Sequence, residues 1–223
     1  MSEYLIINIA TVIVPLLMSF EKQLRFYRFY LPLFISILLV GSVFVIWDHQ
    51  AAIRGDWNFN EKYILGIILF ELPLEEIFFF ITVPYSIIFL YESMNIYLPD
   101  KTISLPKWPL YIAILLLLVS AFLFINQYYT FTVLLFTAIS IFLLILDKNL
   151  LHSRNFLWFI LFTYLPFLVV NYFLTSLPIV QYSPSAIWGF RFITIPLEDF
   201  FYSFSLLSLY LLTYLKAKQI LIK

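Results

Sequence analysis

The chain has 223 residues, 63% hydrophobic and 12% charged, with a mean hydropathy of +0.98. Thirteen basic residues balance thirteen acidic ones, so no net field draws in nucleic acid, and the absence of Cys excludes disulfides, thiolate catalysis and Cys-ligated metals. A soluble domain carries about a quarter charged residues; half that share reads as one integral membrane domain over 1–223.

Seven apolar runs, each near the ~20 residues that cross about 30 Å of hydrocarbon, predict helices at roughly 4–20, 30–47, 63–91, 108–126, 130–146, 155–174 and 187–215. The predicted fold class is therefore all-α: a seven-transmembrane-helix bundle. Ser2-Glu3 lead straight into the first run without a basic segment, so no cleavable signal is expected. Asp48 and Asn171 fall at outer helix ends of the second and sixth runs, where a solvated or capping role competes equally with a site role. The third and seventh runs are long enough to tilt or kink, and Pro73 and Pro196 are predicted inside them. Each proline would free a carbonyl four residues back, at Leu69 or Phe192, for a protonated acid to bond. His49 and His152 are too few for a histidine metal site and are expected at the surface. None of Gly41, Gly55, Gly66 and Gly189 forms a phosphate loop or dinucleotide fingerprint, so neither a metal nor a flavin or nicotinamide cofactor is expected.

Lys22, Arg25, Arg28, Lys101, Lys107, Lys148, Arg154, Lys216, Lys218 and Lys223 fall on one side of this topology, and Arg54, Lys62 and Arg191 on the other. Ten against three predicts a cytoplasmic C-terminus and an outer N-terminus. An internal repeat accompanies it. A shift of 123 residues superposes Gly66 on Gly189, Pro73 on Pro196, Glu75-Glu76 on Glu198-Asp199, and Asp48 on Asn171. A shift of 126 aligns Glu21-Lys22-Gln23-Leu24 with Asp147-Lys148-Asn149-Leu150. Helices 1–3 (about 1–92) thus match helices 5–7 (about 130–217) across a linker helix at about 108–126, a parallel 3+1+3 repeat.

The repeat carries the chemistry. Leu72-Pro73-Leu74-Glu75-Glu76 and Ile195-Pro196-Leu197-Glu198-Asp199 each place two acids in an apolar run, at roughly 2.5–3.5 kcal/mol per buried charge. A lone buried acid is as often a structural partner for backbone as a site. Two matched pairs point to a cluster, with Glu75, Glu76, Glu198 and Asp199 as acids and bases around one cavity. Glu71, at i and i+4 with Glu75, would share its helical face, and Arg191, roughly two turns above Glu198, would pair with Glu71 or Asp48 in a mainly structural role. Phe78, Phe79, Phe201 and Tyr202 follow the acids, as walls able to stabilise a cation would, although ordinary packing is the simpler reading for any one of them. Trp47, Trp57, Trp108, Trp158 and Trp188 read mostly as an interfacial belt.

Trp47-Asp48, Gly55-Asp56-Trp57-Asn58-Phe59-Asn60, Gly66, Leu72-Pro73-Leu74-Glu75-Glu76, Phe78-Phe79 and Val83-Pro84-Tyr85 resemble the first half of the membrane-integral lycopene cyclase domain family. Asn171, Leu174-Thr175, Gly189-Phe190-Arg191 and Thr194 through Tyr202 resemble its second half, in the fused two-half form; Glu71 is outside the pattern. The resemblance implies a β-cyclase of carotenoid biosynthesis: a carboxylic acid protonates the terminal double bond of lycopene, the neighbouring double bond closes a ring on the cation, and a ring proton leaves. It implies a lipid-soluble polyene substrate, bound with help from Asp48, Asn171 and the aromatics, and a bacterial cell membrane as its place, with a homo-oligomer left open. A proton-coupled transporter would also use intramembrane acids and repeats. A retinal photoreceptor needs a lysine midway along the last helix, where none stands, and a prenyltransferase needs spaced aspartates for magnesium.

Overall fold

The structure, a computed structural model, describes residues 2–147 and 149–222. Lys148 and Lys223, counted above among the basic loop residues, lie outside the described residues. Seven helices form among those described: α1 (Glu3–Met18), α2 (Phe26–Arg54), α3 (Leu74–Tyr97), α4 (Trp108–Leu123), α5 (Tyr128–Leu146), α6 (Arg154–Ser176) and α7 (Leu197–Leu221). Helices α2, α3, α5, α6 and α7 are long and apolar enough to cross a membrane, while α1 and α4 are shorter at 16 residues each. The chain is an all-α membrane protein. Helix α1 packs on α3, α4 on α5, and both α5 and α2 on α7.

Helix α2 opens with a 3-10 turn at Phe26–Phe29 and carries a π turn at Ile37–Gly41. There it approaches α7 closely. A Cβ on Gly41 would stand 3.0 Å from the Tyr210 hydroxyl, which donates to the Phe80 carbonyl of α3 at 3.1 Å. Ser36 Oγ donates to the Tyr210 carbonyl at 2.8 Å, so three helices meet at one tyrosine.

The two long predicted runs differ from the observed helices at their starts. Residues before Leu74 and before Leu197 are not helical but fold as short hairpins: β2 (Ile68–Leu69) with β3 (Leu72–Pro73), and β5 (Arg191–Phe192) with β6 (Ile195–Pro196). Pro73 and Pro196 are the N-caps of α3 and α7, so neither kinks a helix and neither frees a carbonyl. Phe70 and Glu71 form the first hairpin turn, both at positive φ (53° and 59°), and Ile193 sits at φ 60° in the second. Leu74 N–H bonds the Ile67 carbonyl and Leu197 N–H the Phe190 carbonyl, both at 2.9 Å, so each hairpin folds back onto its helix start in the same way.

At the same end, β1 (Trp57–Phe59) pairs antiparallel with β4 (Val180–Tyr182), with Trp57 opposite Tyr182 and Phe59 opposite Val180. Trp47 and Trp57 are buried rather than interfacial, Trp47 stacking on Phe136 with centroids 4.6 Å apart. Trp108, Trp158 and Trp188 are exposed, as a belt requires. At the opposite, basic end, Lys218 Nζ and the Tyr214 hydroxyl both donate to Glu92 Oε1 at 2.6 Å, tying α7 to α3.

The start of α6 is held by a loop acid. Ser153 Oγ accepts from Phe156 N–H at 3.1 Å and donates to Asp100 Oδ2 at 2.7 Å, while Asn155 N–H bonds Asp100 Oδ1 at 2.9 Å. Partial burial pushes the Asp100 carboxyl up, but the Ser153 hydroxyl, the Asn155 and Lys101 N–H groups and the Arg154 charge outweigh it and hold it below the usual range. A carboxyl held low stabilises the fold above its unfolded pKa and stops doing so as pH falls through its folded value. Asp100→Ala is therefore expected to cost about 1 kcal/mol at pH 7, with the gap to wild type closing below about pH 4, as read by thermal unfolding in detergent.

Candidate active site

Glu75 and Glu76 stand in the first turn of α3, and Glu198 and Asp199 in the first turn of α7. Adjacent residues project about 100° apart on a helix, and each pair divides in the same sense. All four are buried. Glu76 and Asp199 face a central cavity of about 790 Å³, whereas Glu75 and Glu198 turn back to the hairpins.

Asp48 joins the first two. It is 2% exposed in the body of α2 rather than at a solvated helix end, and it lines the same cavity. Asp48 and Glu76 thus bring two carboxyl groups to the same cavity. The Tyr4 hydroxyl of α1 donates to Glu76 Oε2. Tyr129 of α5 donates to Asp199 Oδ1 at 2.7 Å, and Tyr182 of β4 reaches both Asp199 oxygens at 2.9 and 3.0 Å. Tyr202 reaches Asp48 at 3.3 Å. Three carboxyl groups and four phenols thus close one end of the cavity. Trp57 meets Tyr129 edge-on at 5.1 Å, and Tyr129 stacks on Tyr182 at 5.5 Å.

The remaining walls are mainly apolar, interrupted by Thr11, Ser86, Thr163, Asn171 and Ser203. Ile6, Ile7 and Ala10 of α1 oppose Pro166, Val169 and Val170 of α6, with Val83 and Ile87 of α3 and Leu206 of α7 behind them. Ile6 and Val169 are 46% and 58% exposed, so the cavity opens sideways between α1 and α6, toward the hydrocarbon of a bilayer. The β1–β4 ladder covers the acid end.

Glu75 and Glu198 have matched partners of another kind. Glu75 Oε1 accepts Leu65 N–H at 2.7 Å and the Ser2 hydroxyl at 2.6 Å; Glu198 Oε1 accepts Trp188 N–H at 2.5 Å and the Thr130 hydroxyl at 2.6 Å. Each carboxyl clamps the loop ahead of its hairpin to a neighbouring helix.

A protein-family model described as Lycopene cyclase matches residues 2–94 and 126–217. The chain belongs to the lycopene cyclase family. Among curated proteins, a bifunctional lycopene cyclase/phytoene synthase from Arthroderma gypseum is 29% identical over 108 residues, which is 48% of this chain and 17% of that protein. No solved structure gives a significant match.

The residues singled out from sequence are thus distributed over several places in this lycopene cyclase fold. Glu76, Asp199, Asp48, Phe79, Tyr202 and Asn171 line the central cavity, Asn171 with its amide on the Phe167 carbonyl at 3.1 Å. Phe201 lines a second cavity on the far side of α7. Phe78 is 37% exposed and lines neither. Glu71 and Arg191 are corrected furthest. They lie exposed on the hairpins rather than on helices, Glu71 shares no helical face with Glu75, and Arg191 bonds the Thr194 carbonyl at 2.6 Å and overlies Tyr182, with no ion pair among the described residues. Tyr4, Tyr129 and Tyr182 went unrecognised among the chain's 16 tyrosines. The available signal was that carboxyls buried in hydrocarbon require donors, and phenols are donors that apolar walls tolerate.

Gln keeps the Oε1 acceptor of the clamp and Leu removes it. Glu75→Gln and Glu198→Gln are expected to unfold near the wild-type temperature. Glu75→Leu and Glu198→Leu strand a buried N–H and a hydroxyl, costing roughly 1–3 kcal/mol, which a melting series in detergent resolves.

Proposed function

We propose that this chain is a lycopene β-cyclase that closes the ψ end groups of lycopene into β-ionone rings, a redox-neutral isomerisation in the fused two-half form of its family. The observation that carries the reading is the joining of three carboxyl groups to one apolar, aromatic-lined cavity that faces lipid, in a member of the lycopene cyclase family. The reaction needs a proton donor, a base, a dry pocket and π faces around a tertiary cation. The Asp48–Glu76 pair, two carboxyl groups at one mainly apolar cavity, is the donor in this reading. Asp199 accepts from Tyr129 and Tyr182, donors suited to carrying a carboxylate's charge, and is the base. The proton added at the terminal double bond and the proton lost from the new ring balance, so the product is an isomer. Trp57, Phe79 and Tyr202 supply the cation-facing rings. A transporter of polar solutes is less well supported, because the cavity walls beyond the acid end are mainly apolar, with only scattered hydroxyl and amide groups among them.

The 3+1+3 repeat is part of the proposal. It is supported by the matched hairpins, the Glu75 and Glu198 clamps at a spacing of 123, and a family match that falls on two separate stretches. The excess of basic residues at the end opposite the acids supports an outer N-terminus and an outer acid site.

The deciding experiment is pigment analysis in bacteria that accumulate lycopene. The wild-type chain is expected to yield γ- and β-carotene; unchanged lycopene with well-inserted protein would overturn β-cyclisation. Glu76→Gln and Asp199→Asn are expected to lose at least about 10²-fold in conversion rate, whereas Glu75→Gln keeps most of it. Equal loss in all three would return Glu75 to the catalytic set. Val169→Trp, placed at the lipid-facing mouth, is expected to slow conversion without changing the melting temperature.

A further inference from the structure

A second cavity, of about 530 Å³, lies on the other side of α7, bounded by α4, α5 and the loop at Trp188. The Glu198-Asp199 pair straddles the wall between the two cavities: Asp199 faces the central one and Glu198 lines this one. Along α5 it runs from Thr130 to Ile141, about 16 Å of helix. Its polar groups gather at the acid end, at Thr130, Trp188 and Glu198, and the rest is Leu, Ile, Ala and Phe apart from Ser120, Thr137 and Tyr164. Leu116 on its rim is 60% exposed, so this cavity also opens to lipid.

Glu198 is 3% exposed, and both donors it receives go to Oε1. Oε2 is fully buried and meets no hydrogen-bonding group of the described residues. A buried carboxyl oxygen left so carries an uncompensated desolvation penalty, which a bound hydroxyl recovers. Glu75 Oε2 is unpartnered as well but Glu75 lines neither cavity, so of these two carboxyl groups only that of Glu198 stands in a cavity wall. We propose that the second cavity binds a single-chain lipid alcohol: the hydroxyl bonds the Glu198 carboxyl, whose Oε2 turns toward it on binding, and the chain runs between α4 and α7 toward the basic end. A hydroxyl both donates and accepts, so it satisfies this carboxyl in either protonation state. The arrangement places a polar head at the interfacial end and an apolar tail at depth, the orientation a lipid already has in its leaflet.

The chemistry fits a free long-chain alcohol or a monoacylglycerol equally. The test uses the full chain in nanodiscs, a photoactivatable hexadecanol, and competition by hexadecanol, monopalmitoylglycerol and hexadecane. Labelling is expected on Leu116–Phe124 and Phe200–Phe204. The hydroxylated competitors are expected to displace it at least about tenfold more effectively than hexadecane, and the better of the two identifies the source. Ala113→Phe and Leu117→Trp, which fill the cavity from the lipid-facing helix, are each expected to abolish labelling at an unchanged melting temperature. Labelling confined to α1 and α6, labelling that survives both substitutions, or equal competition by hexadecane would overturn the proposal.

Discussion

A carboxyl group carried into hydrocarbon must be hydrogen-bonded by the protein itself, because no solvent is there to do it. Most of the architecture around the acid end answers to that constraint. Glu75 and Glu198 consume a backbone N–H and a hydroxyl each, which fixes where the loop ahead of each hairpin lies and which helix stands beside it. Glu76, Asp199 and Asp48 consume phenols from four separate segments: α1, α5, α7 and strand β4. The acids therefore organise the bundle as much as the bundle buries the acids. At the basic end the same rule places Lys218 and Tyr214 on Glu92.

Splitting adjacent acids between two tasks is a direct result of helical geometry. With about 100° between neighbours, one member of each pair can hold the hairpin while the other reaches the cavity. A single acid would have to do both. The near-identical use of Glu75 and Glu198 contrasts with the unequal surroundings of Glu76 and Asp199. The former shares its cavity with a second carboxyl, Asp48, whereas the residue 123 positions beyond Asp48 is the neutral Asn171. If the proposed repeat holds, its two parts differ at the site of the proposed proton transfer.

The helices were legible because long apolar runs of bilayer length have few alternatives. The hairpins were not. Their turns use Phe70-Glu71 and Ile193-Thr194, where a two-residue turn ordinarily announces itself with Asn-Gly or Asp-Gly, and apolar residues flank them closely on both sides. Ile193 at φ 60° is the kind of position sequence reasoning assigns to glycine. Pro73 and Pro196 stand at helix starts, a common place for proline, so Glu71 and Arg191 ahead of them fall on hairpins and the acid pairs behind them on helices. Asp48 reads as terminal because the apolar run stops there, but α2 continues to Arg54, about a turn and a half beyond it, and the aspartate is interior. The tyrosines could not be chosen from sequence, since their roles depend on which helix faces which.

The lateral opening between α1 and α6 also decides what concentration means for this protein. A ligand that enters and leaves through hydrocarbon is counted per area of membrane rather than per volume of water. Diluting cells or adding buffer leaves its occupancy alone, while adding lipid lowers it. An apparent Michaelis constant taken from bulk concentrations would therefore measure partitioning as much as affinity. Two preparations with the same protein and different lipid-to-protein ratios would differ in apparent affinity with no change in any side chain.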